Sequence, residues 1–277
     1  RAPVSAVLVA FLVSIGAGGF GSMVGIGGGL VIVPLLSLLL GYDVKVAIAA
    51  SLIGVIATSL SASPRYIKTG IADRRLGLLL LVAAALGGLA GGLTAGFLDG
   101  RTLSLLFALL LAGVALRMLW QFRHPVTRPP IDEEEEGGFV SSYVEPTSGD
   151  VVAYQARRVM PGTLVSFLAG NVSGLLGVGG GVINVPTMNV LMHVPIRVAT
   201  TTSTYMLAAT ATASAVVYLA SGQLDPLLAA PVALGVIVGA RLGARLSMRL
   251  SQDALRLAFV VVAAVFAVSM FLEFLAL

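Results

Sequence analysis

The chain contains no cysteine and only two histidines, His124 and His193, which lie far apart in the sequence. The absence of cysteine excludes disulfides, thiolate metal sites and any thiol relay. Two distant histidines make no metal cluster, so we expect neither a metal nor another cofactor. Charged residues are also scarce, at 11% of the 277 residues, against about 25% in soluble proteins. This composition argues against a soluble protein.

Uncharged apolar stretches are abundant instead. The chain is 57% hydrophobic and its mean hydropathy is +1.00. A helix that crosses a bilayer needs about 20 apolar residues. The uncharged runs cover residues 2–42, 46–64, 76–98, 102–116, 159–192, 198–224, 226–240 and 257–272. Lys and Arg gather at the ends of these runs, as membrane orientation requires, so the basic pI near 9.8 does not indicate a nucleic-acid partner.

A glycine-rich phrase occurs twice, as "GIGGGLVIVP" at 25–34 and as "GVGGGVINVP" at 177–186. Subtracting 27 from 179 gives a shift of 152, which then holds without a gap for much of the chain. At this shift Lys45 meets Arg197, Ser51 meets Ser203, Thr58 meets Thr210, Tyr66 meets Tyr218, Asp73 meets Asp225, Gly87 meets Gly239 and Gly91 meets Gly243. The sequence therefore predicts two copies of one unit.

Basic residues distinguish the two copies. Residues 61–76 contain four Lys or Arg residues, whereas the matching residues 213–228 contain none. The opposite holds later, because 241–256 contains four arginines and the matching 89–104 contains one. Since basic loops stay cytoplasmic, equivalent loops are expected on opposite sides of the membrane. The two copies are therefore predicted to be inverted.

We predict an all-α integral membrane protein built from two inverted-topology repeats. Each repeat has a glycine-broken or re-entrant helical hairpin followed by three transmembrane helices, which gives about eight to ten membrane segments. In the first repeat these elements are expected at 4–41, 44–63, 75–98 and 102–121. Both termini are expected to be external and the middle of the chain cytoplasmic.

A polar segment, 122–158, separates the first repeat (1–121) from the second (159–277). It includes "RPPIDEEEEGGFVSSYVEPTSGD", which combines Pro, Gly and Ser with a run of Glu. Such a segment cannot bury enough apolar surface to order itself. We predict a flexible cytoplasmic linker.

The glycine phrases predict breaks in two membrane helices. Residues 159–192 are too few for two complete helices of about 20 residues and a turn. Three glycines in a row are also a poor helix, at about 1 kcal/mol each relative to Ala. Broken backbone in a bilayer is tolerated only where it is buried in protein or lines a cavity. The half-helix after each break presents free N–H groups and a positive dipole, which together bind anions.

Two such breaks facing each other would form a site for one small anion. The predicted substrate-binding residues are Ser22, Gly25, Gly27, Gly28, Gly29, Ser51, Asn171, Ser173, Gly177, Gly179, Gly180, Gly181, Asn184, Thr202 and Ser203. The alternative is that the glycines allow close helix packing, a role that fits Gly87, Gly91, Gly239 and Gly243 better than a ligand role. A nucleotide-binding G-x-G-x-x-G loop is excluded by the spacing and by the lack of a following acidic residue.

Other polar residues keep two interpretations. The hydroxyls of 200–204 either line a pore or bond back to their own helix. Lys45 and Arg197 either attract anions to the two mouths as gates or anchor helix ends at the interface. Asp73 and Asp225 are expected to cap the helices that follow them, and Tyr66 and Tyr218 are expected at the membrane interface.

The phrases "GFGSMVGIGGGLVIVPLL" (19–36) and "GNVSGLLGVGGGVINVPTM" (170–188) are each followed by a helix that begins "VKVAIAAS" or "IRVATTTS". This pattern resembles the TauE/SafE sulfite exporter family over nearly the whole chain except the linker. The resemblance implies a bacterial inner-membrane protein that exports sulfite or related sulfur-containing anions, with the glycines of both phrases forming the site.

The leading hypothesis is a secondary transporter, an exporter of sulfite or a C2 sulfonate, that works by alternating access. An anion channel is the alternative, and a membrane-embedded enzyme is a weaker one because no nucleophile, base or metal cluster stands out. No Asp or Glu interrupts an apolar run, which suits an anionic cargo. The expected partners are the anion and the lipid bilayer, and a homo-oligomer is compatible with the sequence.

Overall fold

The computed structural model describes residues 4–24, 27–68, 70–123, 139–144, 150–247 and 252–276. Most of these residues are helical. The helices are α1 (Val4–Val24), α2 (Gly29–Pro34), α3 (Val44–Lys68), α4 (Arg74–Phe97), α5 (Gly100–Arg123), α6 (Val159–Leu176), α7 (Gly181–Pro186), α8 (Ile196–Ala220), α9 (Pro226–Ser247) and α10 (Gln252–Ala276). Two strands, β1 (Phe139–Val144) and β2 (Val151–Ala156), lie between α5 and α6.

Seven of the described helices are long and apolar enough to cross a bilayer, by their length and composition. They are α3, α4, α5, α6, α8, α9 and α10. Two shorter apolar helices cover Val7–Ser22 and Gly29–Leu39. The prediction of an all-α membrane protein is therefore confirmed, and the chain is a multi-pass membrane protein.

The short helices after the glycine phrases share one construction. α2 continues as a π-helical segment over Leu35–Leu39, and α7 continues as one over Thr187–Leu191. Pro34 and Pro186 are the last residues of the α-helical parts. A proline has no N–H and its ring crowds the carbonyl four residues earlier, so a wider turn at this point relieves the clash. Glycine begins each short helix and proline widens it.

Glycines bring the helices of one repeat against those of the other. α1 packs along α9, and α6 packs along α4. A Cβ on Gly18 would lie 2.7 Å from the carbonyl oxygen of Val236. Added carbons on Gly91 and Gly239 would collide with the backbone of Asn171 and Ile15. The prediction that Gly91 and Gly239 allow close helix packing is confirmed.

α3 and α8 pack against each other in the interior, whereas α5 and α10 pack together farther out. Of the apolar span in α3, 61% is buried, against 22% in α10. Because α3 and α8 also contact the short helices α2 and α7, they form the walls against which the glycine breaks lie.

The prediction of a linker without ordered structure is wrong for 139–144 and 151–156. β1 and β2 form an antiparallel hairpin in which Ser141 lies opposite Tyr154. Tyr143 and Tyr154 are buried in an apolar cluster with Met188 and Met192 from the end of the α7 segment. Alternating apolar residues allow each strand to bury one face, and the membrane helices supply the surface that the linker lacks. The Glu run lies outside the described residues.

Candidate functional site

Both glycine phrases break the backbone in the same way. Gly27 and Gly28 have φ of +87° and +72°, and Gly179 and Gly180 have φ of +84° and +63°. Glycine adopts this left-handed region without the strain that a Cβ causes. Gly28 and Gly180 are the N-cap residues of α2 and α7, and neither short helix has a side-chain cap. Both half-helices therefore begin with backbone alone.

The two breaks meet inside the protein. The Ser51 hydroxyl of α3 donates to the Gly177 carbonyl at 2.8 Å and to the Gly29 carbonyl at 3.4 Å. A Cβ on Gly29 would collide with that same Gly177 oxygen. The first and second phrases are therefore in direct contact, and Ser51 bridges them.

Val55 of α3 and Leu207 of α8 pack against both breaks. A Cβ on Gly27 would lie 3.1 Å from Leu207 Cδ1, and a Cβ on Gly179 would lie 2.6 Å from Val55 Cγ1. The shift of 152 relates Val55 to Leu207 as it relates Gly27 to Gly179. A side chain at either glycine has no room without displacing one of these two residues.

Three buried polar side chains surround the start of α7. Ser173, Ser203 and Asn184 are 0%, 1% and 2% exposed. Ser173 Oγ, Ser203 Oγ and Asn184 Oδ1 have no hydrogen-bond partner in the part of the chain that the structure describes. A Cβ on Gly180 would lie 3.5 Å from Asn184 Nδ2 and 3.7 Å from Ser173 Cβ, and one on Gly181 would lie 3.3 Å from Ser203 Oγ. We call these three residues the α7 polar cluster.

An unsatisfied buried polar atom costs about 1–3 kcal/mol, and most buried polar atoms in proteins have partners. Three such atoms beside one helix start therefore require an explanation. The hydroxyls of Ser173 and Ser203 can donate hydrogen bonds to the oxygens of an anion, and so can Asn184 Nδ2, whereas Asn184 Oδ1 only accepts. The dipole of the short helix acts in the same direction. The arrangement suits a small anionic ligand.

The first repeat has no equivalent cluster. At the shift of 152, Ser173 corresponds to Gly21 and Asn184 to Ile32, which is 1% exposed. Ser203 corresponds to Ser51, whose hydroxyl is already bonded to the two glycine carbonyls. The start of α2 is therefore surrounded by apolar or satisfied groups.

The hydroxyl residues 200–204 of α8 were expected either to line a pore or to bond back to their own helix, and the structure shows different partners for different members. Thr200, Thr201 and Thr204 donate to carbonyls of their own helix at 2.8, 2.9 and 2.8 Å. Thr202 Oγ1 accepts from the backbone N–H of Asp73 at 3.0 Å. Only Ser203 of this run belongs to the α7 polar cluster.

Lys45 and Arg197 lie near opposite ends of α4. Lys45 donates to the Gly96 carbonyl at 3.4 Å, at the C-terminal end of that helix. Arg197 is exposed and lies one turn before Thr202, which meets Asp73 at the N-terminal end of α4. The structure therefore keeps these two basic residues away from the α7 polar cluster.

Two other expected site residues lie in helix contacts. Ser22 donates to the carbonyls of Gly19 and Ala240, between α1 and α9. The Asn171 backbone lies against Gly91 of α4. Neither is brought to the α7 polar cluster, and Gly25 lies outside the described residues.

Sequence reasoning missed a hydrogen-bonded group at Asp73. Asp73 caps α4 as expected, because Oδ1 accepts from the Leu76 N–H at 3.0 Å. Its Oδ2 also accepts from the Tyr154 hydroxyl of β2 at 2.7 Å. The backbone N–H of Arg157 donates to the Met192 carbonyl at 3.0 Å. The linker hairpin is thus attached to α4 and to the end of the α7 segment.

Tyr218, which was expected at the membrane interface, is buried inside the protein. Tyr218 is 1% exposed and its hydroxyl donates to the Gly174 carbonyl at 3.0 Å. Because Gly174 lies close to the break in α6, this bond supports the end of the helix that precedes the glycines. The side chain of Tyr66 lies outside the described residues.

The fold and the paired glycine breaks define a helical multi-pass membrane protein with a buried polar cluster at the start of α7. The chain matches the family described as Sulfite exporter TauE/SafE over residues 10–270, and it belongs to that family. It is therefore a membrane transporter.

Similar curated proteins carry transporter names. "Probable membrane transporter protein YunE" of Bacillus subtilis (strain 168) is 29% identical, over 79% of this chain and 80% of its own length. "Probable membrane transporter protein" of Xylella fastidiosa (strain 9a5c) is 28% identical, over 66% of this chain and 64% of its own length. "Probable membrane transporter protein MJ0441" of Methanocaldococcus jannaschii is 24% identical, over 66% of this chain and 60% of its own length. No solved structure matches this chain.

Proposed function

We propose that this transporter exports a small sulfur-containing oxyanion, such as sulfite or a C2 sulfonate, by alternating access between two inverted repeats. The α7 polar cluster carries the proposal, because the buried hydroxyls of Ser173 and Ser203 have no partner among the described residues and lie where an anion would be bound. The anion would accept from Ser173, Ser203 and Asn184 and lie at the positive end of α7. Residues 159–192 contain no acidic residue that would repel it.

Helix directions support the inverted arrangement. Gly77 at the beginning of α4 lies against Thr202, and Gly92 near its end lies against Val217, so α4 and α8 run in the same direction. The short connection between α3 and α4 reverses the chain. α3 therefore runs opposite to α8, its equivalent in the second repeat. Two halves related in this way can expose one central site to either side in turn.

The proposed location is a bacterial inner membrane, with both termini outside and the linker in the cytoplasm. The asymmetry of Lys and Arg between 61–76 and 213–228 supports this orientation. Because the chain has no cysteine, single cysteines can report sidedness. Ser221→Cys, between α8 and α9, should react with an impermeant maleimide added outside intact cells. Ser142→Cys, in the exposed face of the hairpin, should react only after lysis, and the reverse pattern would overturn the orientation.

Counterflow in proteoliposomes tests the transport proposal. Vesicles loaded with unlabelled sulfite, or separately with a C2 sulfonate, should accumulate the labelled anion through the wild-type protein. Ser173→Ala should reduce the initial rate about tenfold or more, as expected for the loss of one hydrogen bond to a charged group. Ser166→Ala is the matched control, since Ser166 of α6 is also fully buried and has no partner among the described residues but lies about three turns before the break at Gly177.

Three results would contradict the proposal. Equal rates for Ser173→Ala and Ser166→Ala would remove the cluster from the substrate path. Anion conductance far above carrier rates in planar bilayers would establish a channel. Chemical conversion of the anion in detergent, without compartments, would establish an enzyme.

A further inference from the structure

A crevice separates α5 from α7 and from the π-helical segment that follows α7. Its volume is about 410 Å³, within the range of small-molecule sites. Leu110, Gly113 and Arg117 of α5 form one wall, and Ile183, Pro186 and Val190 form the other. The neighbouring Leu109 is 59% exposed, so the crevice is open on the outer surface of the helices.

This crevice is separate from the α7 polar cluster. Ile183, Pro186 and Val190 recur at helical spacing and share the face of the segment that is turned toward α5. Asn184 is on the face turned toward the interior, beside Gly180. The two sites are therefore on different sides of one short helix.

The equivalent position, between α10 of the second repeat and α2 of the first, is closed by direct contact. α10, the equivalent of α5, packs against α2 and the π-helical segment after it. Gly113 corresponds to Val265, and a Cβ on Gly113 would have open space around it. Arg117 corresponds to Ser269, which donates to its own helix at Val265. The crevice is thus lined by a glycine and a cation of α5, Gly113 and Arg117, which α10 replaces with Val265 and Ser269.

Arg117 is half-buried beside apolar walls, and no acidic partner for its guanidinium is found in the described ranges. A cation in apolar surroundings is destabilising unless an anion or water satisfies it. Arg117 also lies three residues before the end of the apolar span Gly100–Trp120, where a long basic side chain can extend to the lipid headgroups. Apolar walls do not suit a small hydrated oxyanion, but they suit a hydrocarbon chain attached to an anionic group.

We propose that this crevice is a specific site for one anionic phospholipid. The lipid phosphate pairs with Arg117, and an acyl chain fills the groove beside Gly113 and Pro186. Basic pockets between membrane helices bind anionic headgroups in this way. The site is independent of the transported anion.

The test is lipid retention by the intact purified protein, measured by native mass spectrometry after exchange into phosphatidylglycerol or phosphatidylcholine. The wild type should retain one phosphatidylglycerol in preference to phosphatidylcholine, and its thermal midpoint should rise with that lipid. Arg117→Gln should weaken retention about fivefold, the effect expected of one basic residue near a membrane surface. Gly113→Val should also reduce retention, because it fills the groove and leaves the charge in place.

Arg74→Gln is the control, since Arg74 is an exposed cation at the start of α4, away from the crevice. It should retain the lipid as the wild type does, and size-exclusion profiles should show that all three variants are folded. Unchanged retention in both Arg117→Gln and Gly113→Val would overturn the proposal, as would equal retention of phosphatidylcholine. Displacement of the lipid by millimolar sulfite, together with a raised KM for transport in Arg117→Gln, would instead make the crevice a substrate path.

Discussion

The two repeats contain the same backbone break in different surroundings. Gly28 and Gly180 have nearly the same left-handed geometry at the starts of α2 and α7. The second break has Ser173 and Asn184 beside it, whereas the first has Gly21 and Ile32 at the matching positions. Glycine therefore determines the shape of both breaks, and the neighbouring side chains give polar chemistry to only one of them. Ligand contacts are expected to be strongest in the second repeat.

A second difference concerns the helix starts at Asp73 and Asp225. Both carboxylates accept backbone N–H groups at the beginning of the next helix. Asp73 is 8% exposed and also accepts the Tyr154 hydroxyl of the hairpin. Asp225 is half-buried, and the hairpin lies at the other aspartate. The hairpin of the linker thus covers the end of the bundle where α4 begins and where the π-helical segment after α7 ends, near Met192.

The largest effect is expected from Gly179→Ala, compared with Gly222→Ala. Both glycines have positive φ, which costs about 1–2 kcal/mol for alanine. Gly179 is also packed against Val55, whereas nothing lies within 4 Å of a Cβ on Gly222. Overpacking adds about 1–3 kcal/mol. Gly179→Ala should therefore lower the thermal midpoint clearly more than Gly222→Ala, and equal shifts would mean that the break is not tightly packed.

The next effect comes from exchanging the residues that distinguish the two breaks. Asn184→Ile removes a buried polar group, so we expect anion counterflow to fall about tenfold or more without a lower thermal midpoint. The reciprocal change, Ile32→Asn, buries an amide in an apolar site and should reduce the free energy of unfolding by about 1–3 kcal/mol. If Asn184→Ile transports at the wild-type rate, the difference between the repeats has no role in binding.

These two comparisons also indicate what the sequence could predict. The helices were predictable because uncharged runs and charged ends give a strong signal in a membrane protein. The breaks were predictable from three adjacent glycines in such runs. Their contact through Ser51 and Gly177 agrees with the idea of two phrases meeting. The sequence could not distinguish Ser51, whose hydroxyl is hydrogen-bonded, from Ser203, whose hydroxyl has no partner in the described part of the chain.

The remaining differences come from long-range contacts. Ser22 was chosen for its closeness to the glycines in sequence, yet its hydroxyl bonds between α1 and α9. Tyr218 was assigned to the interface by residue type, although the Gly174 carbonyl gives its hydroxyl a buried partner. The hairpin packs on Met188 and Met192, which lie more than 30 residues after Tyr154 in the sequence (188 − 154 = 34), so the composition of the linker alone could not reveal it.

The hairpin contact gives the third test, with Asp73→Asn set against Asp225→Asn. Asp73→Asn weakens hydrogen bonds to Tyr154 and Leu76, and bonds to a charged group are worth about 1.5–3 kcal/mol. Asp225→Asn affects only a helix start. Hydrogen exchange of residues 151–156 should accelerate in Asp73→Asn and stay unchanged in Asp225→Asn. Equal protection of residues 151–156 from hydrogen exchange in both variants would mean that Asp73 does not stabilise the hairpin.

A smaller effect is expected from pH. Burial raises the pKa of Tyr154, and the hydrogen bond to Asp73 raises this pKa further, whereas a bond with Ser141 lowers it. A raised pKa in the folded state means that the stabilisation is complete below the ordinary tyrosine value of about 10 and is lost as pH rises above it. Protection of 151–156 should therefore decline above about pH 10. Tyr154→Phe should remove that pH dependence, and its persistence in this variant would assign it to another group.

The smallest effect is expected at the two basic residues near opposite ends of α4. If Lys45 and Arg197 attract anions, each charge acts through solvent and changes the encounter rate only a few-fold. Arg197→Gln should then slow counterflow at low salt when the anion is added from the hairpin side, and Lys45→Gln should do so from the other side. Both effects should vanish near 1 M salt, where the Debye length is about 3 Å. A salt-independent loss would indicate instead that these residues anchor the helix ends, because anchoring acts through packing and local hydrogen bonds such as that of Lys45 with Gly96.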